Sequence, residues 1–185
     1  MVLYFNPQLN TSGLVTVAGG GTGASDSQQA TANLSSWYVI SKSAVAASNT
    51  ATTNEEALAT ITLPPLSANA IIRINTSWIC TNGANSKTFR IRLGGLGGTA
   101  FMSITSTTID MAILSRIIQN QNATNSQKSN AWLTATGSEQ TGGSVVPVTG
   151  AIDTSVSTSL VITGQKASAG DILTLSSYSV ELCNS

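Results

Sequence analysis

From residue 55 onward, apolar and β-branched residues alternate with polar ones in short runs separated by turn residues, a period of two that predicts strands. The clearest run is Ala70 to Cys80. Ile72, Ile74, Thr76, Trp78 and Cys80 share one face and Arg73, Asn75 and Ser77 the other, so one face is expected in a core and one in water. The next segment, Thr81-Asn82-Gly83-Ala84-Asn85-Ser86, is turn chemistry. Phe89, Ile91 and Leu93 then alternate with Arg90 and Arg92, which predicts a hairpin partner for the preceding strand with its arginines outward. Further strands are expected over Ala57 to Leu63, closed by Pro64-Pro65, and over Thr99 to Ser103, Thr108 to Ile118, Ala131 to Thr136, Ser159 to Gly164 and Ile172 to Leu182.

The run Ile109 to Ile118 can also be read as a helical stripe. With strands on both sides it is better taken as a strand. About eight strands in about 130 residues predict an all-β fold, two packed antiparallel sheets forming a jelly-roll-like β-sandwich over residues 55–185. Residues 1–54 differ. Gly19-Gly20-Gly21-Thr22-Gly23-Ala24-Ser25 and the Ser/Ala-rich stretch up to Asn54 predict an extended N-terminal arm with at most a short helix near Ser27 to Leu34, because dense glycine opposes regular elements. Trp37-Tyr38-Val39-Ile40 is an aromatic and apolar cluster in that polar arm. It needs a pocket to cover it, on its own domain or on a neighbour, so Trp37 and Tyr38 are candidate anchors for a partner. Trp78 and Trp132 fit core positions of alternating strands.

Composition narrows the function. The chain has 185 residues, 41% of them apolar, which suffices for one core, but only 9% are charged and histidine is absent. Eight basic and eight acidic residues give no net charge. That balance offers neither the basic footprint of a nucleic-acid binder nor a polybasic membrane contact, so protein partners are expected. With little repulsion to keep copies apart, an oligomer is expected as well. The N-terminal residues lack a basic segment followed by a long apolar one, and no run approaches the roughly 18 apolar residues of a span. Export through a signal peptide is therefore not expected. Cys80 and Cys183 lie far apart with no second pair; free thiols are favoured over a disulfide, and no zinc site is expected.

Candidate chemistry weighs little against structural readings. The Gly19 to Gly23 loop lacks the Gly-Lys-Ser/Thr of a phosphate loop, and no lysine occurs before Lys42. Asp110, Asp153, Asp171 and Glu181 are the carboxylates worth weighing as a glycosidase pair. With three Trp, three Tyr and three Phe in the chain, a sugar-stacking cleft around them is hard to assemble. Asp171, after Ala169-Gly170, reads better as holding a turn before the last strand. No serine has a histidine base or a Ser-x-x-Lys setting. An enzyme is not expected, nor is a cofactor. Arg73, Arg90 and Arg92 are candidate partner-binding residues: they form either a solvated basic patch on adjacent strands, or ion pairs with Glu55, Glu56 or a partner's acid.

Two resemblances follow from particular residues. Val17-Ala18-Gly19-Gly20-Gly21-Thr22-Gly23-Ala24, followed by Ala30, Ala32 and Asn33-Leu34, resembles the Gly-Gly-Thr-Gly-Ala…Ala-x-x-Asn-Leu segment of tailed-bacteriophage virion proteins, tail fibres especially; it lacks an Arg before Asn-Leu and a Gly after it. The phrases Ala57 to Pro64, Lys87 to Gly95, Leu160 to Gln165 and Gly170 to Leu175, continuing to Leu182, are similar to small phage structural domains of jelly-roll type. The resemblance implies a virion component made in the host cytoplasm, trimeric, without catalytic residues. A capsid decoration or cement protein bound to the major capsid protein is the leading expectation. A tail-fibre or receptor-binding subunit contacting host glycan is the alternative.

Overall fold

The computed structural model describes residues 37–50, 52–129 and 147–184, with Ala30. Their strands are β1 (Tyr38–Ser43), β2 (Ala47–Ser48), β3 (Glu56–Leu63), β4 (Ile71–Cys80), β5 (Lys87–Leu93), β6 (Thr99–Ser106), β7 (Met111–Asn120), β8 (Gln127–Ser129), β9 (Val148–Gly150), β10 (Thr158–Lys166) and β11 (Leu173–Cys183). They form two antiparallel sheets. The larger runs β1-β11-β4-β7-β8-β9, with β2 also on β11, and the smaller runs β3-β10-β5-β6.

The order explains itself as a jelly roll. The chain passes to the opposite sheet after β2, β3, β4, β6, β9 and β10, and its last two strands insert centrally, β10 between β3 and β5, β11 between β1 and β4. Strands that return late to lie between early ones are the Greek-key signature. The expected all-β sandwich is therefore the observed one. The predicted strands over 57–63, 70–80, 99–103, 159–164 and 172–182 lie within a few residues of β3, β4, β6, β10 and β11, and the ambiguous run 109–118 is strand β7.

Three expectations need correction or placement. First, β4 and β5 are not a hairpin: they lie in opposite sheets, and residues 81–86 cross between them. Alternation gives each strand its inward face but not its neighbour. Trp78 on β4 and Phe89 on β5 meet across the interior instead, edge to face, with centroids 4.9 Å apart. Second, the region expected as an arm ends in sandwich. Tyr38–Ser43 and Ala47–Ser48 pair along β11, because the apolar Tyr38 and Ile40 find cover against the core. Third, the glycine loop at 19–23, the helix near 27–34 save Ala30, the strand over 131–136 and Trp132 lie outside the described residues.

The core follows the predicted parity. Ile72, Ile74, Trp78 and Cys80 of β4 are buried with Phe89, Ile91 and Leu93 of β5, Leu160 and Ile162 of β10, and Leu175, Val180 and Leu182 of β11. Each such side chain withdrawn from water contributes about 1.5–3 kcal/mol. Thr76 is the polar member of the buried β4 face, and it is satisfied: it accepts from Trp78 Nε1 at 2.9 Å and donates to the Leu114 carbonyl.

Polar pins close both ends. At one, buried Asn120 and Gln127 join the 121–126 loop to Ile152 and Thr154, Gln127 bonding the Ile152 backbone through both ends of its amide. At the other, fully buried Lys87 donates to the carbonyls of Gly83 and Thr107 and lies 3.6 Å from Asp171. Lys166 donates to the Asp171 carbonyl at 2.6 Å. Asp171 thus does hold the turn into β11, as a buried ion-pair partner. Cys80 pairs in register with Leu173, whereas Cys183 pairs with Ile71, at opposite ends of the β4–β11 ladder. About nine residues of strand at ~3.3 Å each separate them, and both are free thiols.

Candidate interaction surfaces

The outer faces of the two sheets carry the residues singled out from the sequence, and they carry them separately. Arg73 stands on the outer face of β4 and Arg90 and Arg92 on that of β5, in the opposite sheet, so the three arginines do not form one patch. A shared patch needed β4 and β5 to be neighbours, which they are not.

On the larger sheet, Arg73 Nε donates to Glu181 Oε2 at 2.8 Å from the directly opposed position on β11, and Nη2 donates to the same oxygen. The Trp37 ring lies over its guanidinium, 4.5 Å from centroid to carbon. A flat cation fixed by a carboxylate offers the indole a rigid platform. The stack places Trp37, at the start of β1, on the outer face of the larger sheet. Tyr38 points the other way and packs on the core; burial and neighbouring Cys183 push its phenol pKa up.

On the smaller sheet, Glu55 is the hub. Arg92 donates to both its carboxylate oxygens at 2.7 and 2.8 Å, Thr163 donates to it at 2.5 Å, and Arg90 lies 3.2 Å away. Arg92 also reaches the Gly98 carbonyl, and Arg90 the Gln165 side chain. The Arg92 hydrogen bond, outweighing burial, holds the Glu55 carboxyl below its ordinary pKa of 4.5. These pairs lie within one chain, so the acids that sequence reading left open for Arg90 and Arg92 include Glu55 of the same molecule. Glu56 turns away, to the Thr50 and Thr52 hydroxyls.

The remaining carboxylates are engaged singly. Glu181 holds Arg73, Asp171 faces Lys87, and Asp153 caps the turn at Ser155. Among the described residues, no three His, Cys, Asp or Glu gather where a metal ion could be held.

What sequence reading missed is an apolar strip on the larger sheet. Met111, Ile113 and Ile117 alternate outward along β7, and Ile79 stands directly across from Met111 on β4; all four are exposed, Ile113 at 84%. Inward, the same strand presents Leu114 and Ile118. The signal was available. A strand apolar in both parities is one covered on both sides, whereas a face meant for water reads polar. Beside Ile113 lies a shallow depression of about 260 Å³, floored by Ser77, Ser177 and Ser179 and walled by Ile113 and Tyr178. It exists because short side chains stand between tall ones.

No family model matches the chain, and no curated protein sequence matches it significantly. Among solved structures, the CBM2 module of the evolved Dit of Lactobacillus casei BL23 phage J-1 is similar over 68% of this chain and 69% of that one, with 12% identity and a TM-score of 0.35. Infectious bursal disease virus, Gx strain, is similar over 80% of this chain and 40% of that one, with 10% identity and a TM-score of 0.27. Likeness this loose is shared by sandwiches of many functions, and no function is carried over from it.

Proposed function

We propose that this chain is a virion structural protein, and within the virion a capsid decoration or cement subunit that acts as a homotrimer. The observation that carries the reading is the exposed strip of Ile79, Met111, Ile113 and Ile117, on a chain whose charged residues are few and, where described, largely paired with one another. Contiguous apolar surface of this kind marks a contact with protein. The phage-like segment from Val17 to Leu34 supplies the setting, and it lies in the region before Trp37 that reads as an arm. In this reading the sandwich holds the copies together and residues 1–36 lie over shell subunits. Repetition by symmetry multiplies weak contacts into firm attachment without a field of charge.

Removing residues 1–36 tests the division of labour, since the cut spares Trp37 and β1. The shortened chain is expected to fold and to fail to bind particles stripped of the protein. Undiminished binding contradicts the role given to the arm. A tail-fibre subunit is the second reading, favoured by the same glycine-rich segment, and location on tails in labelled particles would select it.

A further inference from the structure

Strand β7 is covered on one face by the core and on the other by nothing in the single chain, although Met111, Ile113 and Ile117 are as apolar as its buried side chains. Its neighbours do not share this. The outer positions of β11 opposite β4 are Ser177, Ser179 and Glu181, and those of β4 include Asn75 and Ser77. The apolar strip is therefore local, and it borders the depression whose wall is Ile113 itself.

We propose that this face is where copies of the chain meet, with Ile113 of one copy seated in the depression between Ile113 and Tyr178 of the next. Three features select a second copy as the occupant. A projecting branched side chain and a recess of about 260 Å³ able to receive one stand side by side, so a single surface supplies both halves of the contact. The nearest charges, Arg73 and Glu181, neutralise each other, and the chain has no net charge, so like copies approach without repulsion. A strongly charged partner would find nothing there to pair with. Knob into recess, passed from each copy to the next, is a heterologous contact that closes as a ring. This deepens the homotrimer reading above, on which it rests for the number three.

The test is light scattering on the full chain over a range of concentrations. The unaltered protein is expected at about 57 kDa, three copies of the 18.9 kDa chain. Ile113→Arg is expected to shift it to the single-chain mass with an unchanged circular dichroism spectrum, since an 84% exposed side chain is not needed for folding. Val45→Arg, at an equally exposed site on the β1–β2 turn, is expected to leave the assembly intact. Should Ile113→Arg not fold, Met111→Lys reads the same contact. A single-chain mass for the unaltered protein at every concentration overturns the proposal, as does an Ile113→Arg assembly as stable as the original. Association only after removal of residues 1–36 also overturns it, by making the chain's own arm the occupant. A two-copy species abolished by Ile113→Arg upholds the face and contradicts the trimer. A single-chain Ile113→Arg protein that still decorates particles upholds both the contact and the virion role. An Ile113-dependent assembly never found on particles upholds the contact and contradicts that role.

Discussion

Lys87 shows at a single residue what holds one end of the sandwich. Its ammonium is fully buried, shared among two loop carbonyls and the Asp171 carboxylate, so the 81–86 crossing, the loop before β7 and the turn into β11 all close on one charge. Lys87→Met is expected to cost about 3–5 kcal/mol, because Asp171 then stays buried without its counter-charge. Lys87→Met combined with Asp171→Asn is expected to recover much of the loss, read from urea unfolding midpoints. Equal loss in the single and double variants contradicts the account. Residue-level packing was legible where alternation was strict: Ile72, Ile74, Thr76, Trp78 and Cys80 are buried as their spacing implied. Lys87 was not. A lysine at the start of a strand reads as solvated, and only the crossing of the chain encloses it.

At the scale of elements, the smaller sheet is tied to the segment leading into it by Glu55 and Glu56. The Arg92 hydrogen bond lowers the Glu55 pKa, and the Thr50 and Thr52 hydrogen bonds lower that of Glu56 to about 2. Both are depressed below 4.5 in the folded chain, so the unfolded chain binds protons first as pH falls. Their stabilisation is complete above that value and is lost as pH drops toward about 2. Urea midpoints are therefore expected to decline over that window, and Glu55→Gln with Glu56→Gln to flatten the decline. An unchanged slope in the double variant contradicts the assignment. Which strands exist was readable from sequence, but their partners were not. The turn-rich residues 81–86 serve a hairpin and a sheet-to-sheet crossing equally well, and choosing the hairpin wrongly drew Arg73 together with Arg90 and Arg92. The Met111, Ile113 and Ile117 strip went unread because an apolar run of both parities was weighed as helix against strand, not as a strand with two covered faces.

For the whole molecule, the jelly-roll order places the chain's late strands at the centre of each sheet and leaves the outer faces to interact. One outer face is closed by ion pairs about Glu55; the other carries the Trp37–Arg73 stack and the apolar strip. The arrangement suits a protein whose work is attachment. Quantifying the chain against the major shell protein in purified particles tests this most directly. A count of hundreds per particle, in multiples of three, is the result predicted for a shell-decorating trimer; particles that contain none of it contradict the account.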